Sequence, residues 1–420
     1  MRQCVIWIQR ACPAIVLGLA VLAACGIARA GTGGPSYVLG MSAAFTGHSR
    51  GLGGELYRGT AAYFTHLNRS GGINGKPVVL VTLDDGYQPD PAIRNTLELL
   101  RRGDVLCLYG YVGTPTVTRI LPLLGGTAGA SKLLFFPFTG AQPQREQPYG
   151  RHVFNLRASY RQELKGLVDR FVALGRKRIA VFYQADAYGR SGWDGVRRAL
   201  AAHGLTMVGE ATYRRGSGFD QPMAEQVRIL ARARPDAIIS VGTYAPCAAF
   251  IRDARDAGLD QPIANVSFVG SENMLARLEG IGKARGIDYT RDLVNSQVVP
   301  SYEDLSLPAV REYRQLMDTI EVVPPDVAGT GYQPFRYSFA GFEGYLNAIA
   351  MARVLREFDA NPQLGLAAAA QSLRDVDLGI DVRLSFGPDN HQGLSRVYFT
   401  TVEQGAFVPV RDEQWEAWRR

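Results

Sequence analysis

The sequence predicts an α/β protein of two similar lobes, each a mostly parallel sheet flanked by helices. Three observations predict it. After Tyr37, short β-rich runs alternate with amphipathic helical stretches, the signature of repeated strand–helix–strand units. Several of the β runs are continuously apolar, as strands covered on both faces are. The same layout of strand, loop, glycine, helix, glycine and strand occurs twice, over Tyr37 to Leu83 and over Ile179 to Tyr213. No low-complexity linker lies between the copies, so short segments are expected to carry the chain from lobe to lobe.

The amino terminus comes first and stands outside the fold. Arg2 and Arg10 precede an apolar run from Ala14 to Leu22, which small residues follow. This is the layout of a secretory signal, with an apolar core well short of the ~20 residues that span a bilayer. Two exits are visible. Ala28-Arg29-Ala30 would release a soluble chain and make residues 1–30 the signal segment. Leu22-Ala23-Ala24-Cys25 resembles a bacterial lipobox, which would make the segment 1–24 and anchor the protein by a lipid on Cys25. Of five cysteines, only Cys107 and Cys247 then remain in the body of the chain, and no disulfide framework is indicated.

The strand-like runs are Tyr37 to Met41, Val78 to Leu83, Val105 to Tyr109, Leu133 to Phe136, Ile179 to Tyr183, Ala237 to Val241 and Ile263 to Val266. Helices fall between them. Leu164, Leu167, Val168, Phe171 and Leu174 keep helical spacing, as do Cys247, Phe250, Ile251 and Ala254. The tail differs: Ile380 to Ser385, Arg396 to Val402 and Phe407 to Val410, with a turn at Gly405-Ala406, read as antiparallel strands added at an edge.

Composition and motifs exclude more than they assign. The 46 basic and 39 acidic residues leave a net charge of +7, but only five of the basic residues are lysine and no basic run carries interleaved aromatics. A nucleic-acid partner is therefore not expected. There is no H-E-x-x-H or C-x-x-C, and the five histidines lack metal-ligand spacing. No catalytic residue, metal site or cofactor is expected. Gly75-Lys76 runs into Pro77 where a phosphate loop needs Ser or Thr, and Asp84-Asp85-Gly86 lacks calcium-loop spacing; both read as turns.

What is present lies where strands end. In open parallel sheets, ligands bind beyond the strands' carboxyl ends, beside helix amino termini. Those loops hold Phe45-Thr46-Gly47, Tyr111-Val112-Gly113-Thr114, Phe138-Thr139-Gly140, Asp186-Ala187-Tyr188-Gly189, Thr243-Tyr244 and Ser267-Phe268. Aromatics beside hydroxyls and glycines suit the capture of a solute rather than its conversion. Alternatives stand beside each assignment. Thr114 with Pro115 also reads as a helix cap, Tyr188 and Tyr244 also read as core, and Arg157 reads equally as an interlobe ion pair or an anion ligand.

Together these segments resemble the branched-chain amino-acid type of periplasmic solute-binding proteins that serve ABC transporters. The matching stretches include Leu39 to Gly47, Gly71 to Pro77, Leu83 to Tyr87, Gly110 to Thr116, Phe136 to Ala141, Asn155 to Tyr160 and Asp186 to Gly189. The resemblance implies a type I, two-lobed clamshell with three interlobe crossovers: residues 36–154 plus 300–378 as lobe 1, and 155–299 plus 379–420 as lobe 2. It implies an exported, periplasmic receptor for an amino acid, an aromatic or aliphatic carboxylate or an amide, delivered to a membrane permease. It places the solute's carboxylate on Thr114 and Phe138-Thr139-Gly140, with Leu52 and Tyr111 beside them and Tyr160, Tyr188, Tyr244 and the Ser267 region opposite. In amino-acid binders of this type a second-lobe carboxylate holds the ammonium. Here Ser267 takes that place, and Glu272 follows five residues later. Two apparent insertions, near Lys283 to Arg291 and Pro324 to Arg336, depart from the pattern. A sensor of the same fold, signalling to a membrane kinase or chemoreceptor, and an unrecognised hydrolase are the competing functions.

Overall fold

The computed structural model describes residues 35–125, 132–325 and 331–420. The signal segment 1–30, its 1–24 alternative and Cys25 lie outside the described residues, as does part of the 324–336 insertion.

Two sheets form from stretches that the apolar runs announce. The first holds β1 (Tyr37–Ala43), β2 (Val78–Asp84), β3 (Val105–Tyr109), β4 (Leu134–Phe135) and β5 (Val153–Phe154) in the order β2-β1-β3-β4-β5, all parallel. Helices α1 (Arg50–Arg69), α2 (Pro89–Arg101) and α3 (Thr114–Leu124) make its crossovers. The chain then passes through α4 (Tyr160–Ala173), β6 (Ile179–Gln184), α5 (Ala187–Ala202), β7 (Gly209–Tyr213), α6 (Ala224–Arg232), β8 (Ala237–Val241), α7 (Tyr244–Asp256), β9 (Ile263–Asn265), α8 (Ser271–Arg285) and β10 (Leu293–Gln297). These strands take the order β7-β6-β8-β9-β10, the first sheet's order repeated. The doubled layout in the sequence is thus a doubled topology, and each sheet reverses direction of growth between its first and third strands, where a crevice opens at the strand ends.

After β10 the chain returns to the first lobe as α9 (Pro308–Thr319), α10 (Phe339–Ala360) and α11 (Gly365–Gln371). Helix α10 lies against α1, and glycines set the distance. A Cβ on Gly59 would stand 1.8 Å from the Gly341 carbonyl oxygen, and one on Gly344 would stand 2.1 Å from that of Leu56. Only glycine lets these backbones approach so closely.

The tail corrects one expectation and meets another. Strands β13 (Tyr398–Glu403) and β14 (Ala406–Pro409) form an antiparallel hairpin that extends the second sheet beyond β10, ahead of α12 (Asp412–Ala417). The Ile380 to Ser385 run does not join that edge: β12 (Arg383–Leu384) pairs with β11 (Val376–Asp377) in a separate ladder. Residues 379–391, expected with lobe 2, pack on the first sheet instead. Phe386 stacks on Phe136 at 6.1 Å and meets Phe154 edge-on, and His391 stacks on Phe154 at 3.9 Å. Apolar contacts hold this stretch on lobe 1, and the last crossover comes after His391, alongside Asn155 and Leu156.

Candidate functional site

The first lobe contributes a cradle at the amino terminus of α3. Gly113 is the N-cap, with φ 104, so Thr114 is the first helical residue and not the cap that the Thr114-Pro115 pair also suggested. No side chain caps α3, so its first-turn N–H groups lack the side-chain partner that a cap would supply. Freed from capping, the Thr114 hydroxyl pairs with that of Thr139 at 2.7 Å. The Phe138-Thr139-Gly140 loop is fixed from behind by Arg145, which donates to the carbonyls of Thr139, Ala141 and Arg157.

The second lobe closes on this cradle. Tyr160 opens α4, its backbone N–H donates to the Gly140 carbonyl at 2.7 Å, and a Cβ on Gly140 would stand 2.5 Å from the Tyr160 ring. The Tyr160 hydroxyl lies beside Thr114 and Thr139, is buried, and has no hydrogen bond of good geometry. Tyr188 packs on Tyr160 at 5.3 Å, and Phe268 packs on Tyr188, Phe138 and Tyr87 at 4.9, 5.3 and 6.1 Å. Leu52 is buried against Gly270. Tyr244 bridges the lobes, its hydroxyl accepting from the Gly51 N–H at 3.1 Å. A groove of about 310 Å³ between the lobes is lined by Thr114, Thr118 and Gln142 on one side and by Arg161, Ala187 and Asp194 on the other. A larger groove, about 570 Å³ along the β7 edge, carries none of the expected residues.

Behind the aromatics lies a buried charge cluster. Arg157 stacks on Phe138 at 4.7 Å, donates to Ser267, and lies 3.7 Å from Glu163 and 3.6 Å from Glu343. Burial opposes its charge, but Glu343 and Glu163 outweigh burial and hold the guanidinium's pKa above its ordinary value. Burial pushes Glu343 up to about 7, against the pull of Arg157. Burial, with Arg157 nearby, pulls Arg145 down to about 9. Glu163 accepts from the Ser267 N–H and hydroxyl and from Ser296.

The sequence profile of the periplasmic binding protein family matches residues 36–406. The chain belongs to that family. A solved structure described as a possible leucine/isoleucine/valine-binding protein from Rhodopirellula baltica SH 1 is 30% identical, with a TM-score of 0.78 over 92% of this chain and 98% of that one. A Leu/Ile/Val-binding protein homolog of Brucella melitensis is 24% identical over 277 residues, 62% of this chain and 66% of the relative. An amino acid binding protein of Pseudomonas aeruginosa is 22% identical over 60% of this chain and 65% of the relative. The match therefore spans just under two thirds of these two relatives. A Thermus thermophilus transporter component with bound valine shares the fold, at 17% identity and a TM-score of 0.77.

Within this periplasmic binding protein, the structure brings Thr114, Phe138, Thr139, Gly140, Tyr160 and Tyr188 together at one seam, with Ser267 at its rear. Two expected residues go elsewhere. Tyr111 turns into the core between α2 and α3, where its hydroxyl pairs with Thr96 at 3.1 Å. Glu272 does not face Thr114. It accepts from the Phe339 N–H at 3.0 Å, binding α8 to the start of α10, and burial pushes its pKa up to about 7. Sequence reading missed Glu163, Glu343, Arg145 and the central part of Phe268. Glu163 was within reach: the capping box of Ser159 and Gln162 fixes the start of α4 and turns Glu163 inward.

Proposed function

We propose that this protein is an extracytoplasmic receptor that captures a small amino acid or carboxylate-bearing solute between its lobes and delivers it to an ABC importer. One observation carries the reading. The start of α3, without a side-chain cap, and the Thr114–Thr139 hydroxyl pair, from one lobe, meet the buried Tyr160 hydroxyl and an aromatic wall from the other. Such a constellation holds a solute only when both lobes meet, so the solute favours closure. The bodies that move are 36–154 plus 300–391 and 155–299 plus 392–420, joined by three crossovers. The amino-terminal segment directs export, by release after Ala30 or by a lipid on Cys25.

The binding relatives support a receptor role without catalysis. Thermal-shift screening of amino acids, aromatic and aliphatic acids, dicarboxylates and amides tests it. A solute at 100 times its Kd stabilises the protein by ~2.7 kcal/mol. A broad panel with no shift, or turnover of a bound amide or ester, would sink the reading.

A further inference from the structure

Resting on that receptor reading, we propose that the solute is an amine-free carboxylate with an apolar, ring-sized body, and that free amino acids are discriminated against. Three sets of contacts point to it.

The first is an excess of donors. Helices α4 and α5 reach the seam already capped by Ser159 and Asp186, whereas α3 has no side-chain cap. The Arg157 Nε is buried without a hydrogen-bond partner, its Nη1 has only the 3.6 Å contact with Glu343, and the Tyr160 hydroxyl has nothing beyond the Thr114 and Thr139 hydroxyls beside it. Two guanidiniums, Arg145 and Arg157, stand beside Glu163 and Glu343. A solute carboxylate supplies the missing acceptor.

The second is the engagement of the acids. Glu163 takes three donors from Ser267 and Ser296. Asp186 takes the Tyr188 N–H, Gln184 and Arg215. Asp85 takes Ser42 and the Tyr87 N–H, Glu272 takes the Phe339 N–H, and Glu343 faces Arg157. In the groove, Glu146 and Asp194 are both paired with Arg161. An ammonium brought to this seam would be stripped of water and would have to displace an existing partner to find a carboxylate, a costly exchange.

The third is the wall itself. Phe268, Phe138 and Tyr188 present rings where the lobes meet, and each is buried. They suit an apolar solute body.

Isothermal titration of the full chain with matched pairs tests the proposal: 3-phenylpropanoate against phenylalanine, and 4-methylpentanoate against leucine. The amine-free member is expected to bind at least about tenfold more tightly, a difference of ~1.4 kcal/mol. Tighter binding of the amino acids would overturn the proposal while leaving the receptor reading intact. Binding by neither pair, nor by any solute of the wider panel, would overturn both. Phe268→Glu adds a carboxylate at the wall and is expected to narrow the gap within a pair by about tenfold, whereas Phe268→Gln should not. Equal effects of the two variants would count against the proposal. If neither variant folds, the matched pairs on the unaltered chain decide alone.

Discussion

The lobes meet along two seams of opposite character. Where α8 meets α10, carboxylates are saturated. Glu272 accepts from the Phe339 N–H across the seam, and behind it Glu55, within lobe 1, accepts from Tyr332, Phe335, Ser338 and Arg58 at 2.8 to 3.1 Å. Where α3 meets α4 and α5, the start of α3 has no side-chain cap and the Arg157 Nε is left with an unused N–H. Buried polar atoms are nearly always paired, so an unpaired group needs a reason. A seam built to hold the lobes together has its polar groups matched internally. A seam built to close on a solute keeps donors in reserve.

Breaking the charge cluster behind the donor-rich seam should have the largest effect. Arg157→Ala would leave Glu163 and Glu343 buried without their cation. A loss of ~3–5 kcal/mol is expected in urea unfolding, and a loss under ~1 kcal/mol would mean that the ion pairs do not hold this seam. The matched seam should reveal itself through pH. Burial raises Glu272 from an ordinary 4.5 to about 7, so between those values the folded chain keeps a proton that the unfolded chain has released. Stability should therefore fall as pH rises from about 4.5 to 7, by up to ~3 kcal/mol from this group. Glu272→Gln retains an acceptor for Phe339 and should flatten its share of that slope, while Asp85 and Glu343, raised to about 7 in the same way, keep theirs. An unchanged profile would show that Glu272 is not held neutral by the seam.

Smaller changes sharpen the contrast. Tyr244→Phe removes the acceptor of the Gly51 N–H, which links the lobes. It should cost ~1 kcal/mol and shift small-angle scattering toward a more open particle; identical scattering and stability would remove Tyr244 from the interlobe contacts. Thr114→Val deletes half of the hydroxyl pair with Thr139. It should change stability least, by under ~1 kcal/mol, while lowering solute affinity severalfold by titration. The reverse pattern would assign the pair to structure.

Much of the fold is legible in the residues. Continuous apolar runs mark β3, β6 and β8, and the Gly405-Ala406 turn marks the β13–β14 hairpin. Strand β10 is not legible, because Asn295, Ser296 and Gln297 break the apolar run. They are buried all the same, paired with Asn265, Glu163 and Ser271 from other elements. Helix α10 shows no stripe because nearly all of its first seventeen residues are buried, and a helix covered on all sides loses its period. At the site, Thr114, Thr139 and Tyr160 are legible as residues at strand ends and helix starts. The side-chain direction of Tyr111 and the partner of Glu272 are not.

Read alone, the residues specify elements, their order, the doubled layout and the loops that carry aromatics beside hydroxyls, because each depends on neighbours a few positions away. Which donors meet which acids was decided by the tertiary structure. Glu163, Arg157 and Glu343 come from α4, a crossover and α10, and nothing local to any of them encodes the others. The balance of the seam, rich in donors and with its acids engaged, exists only once the two lobes are folded against each other.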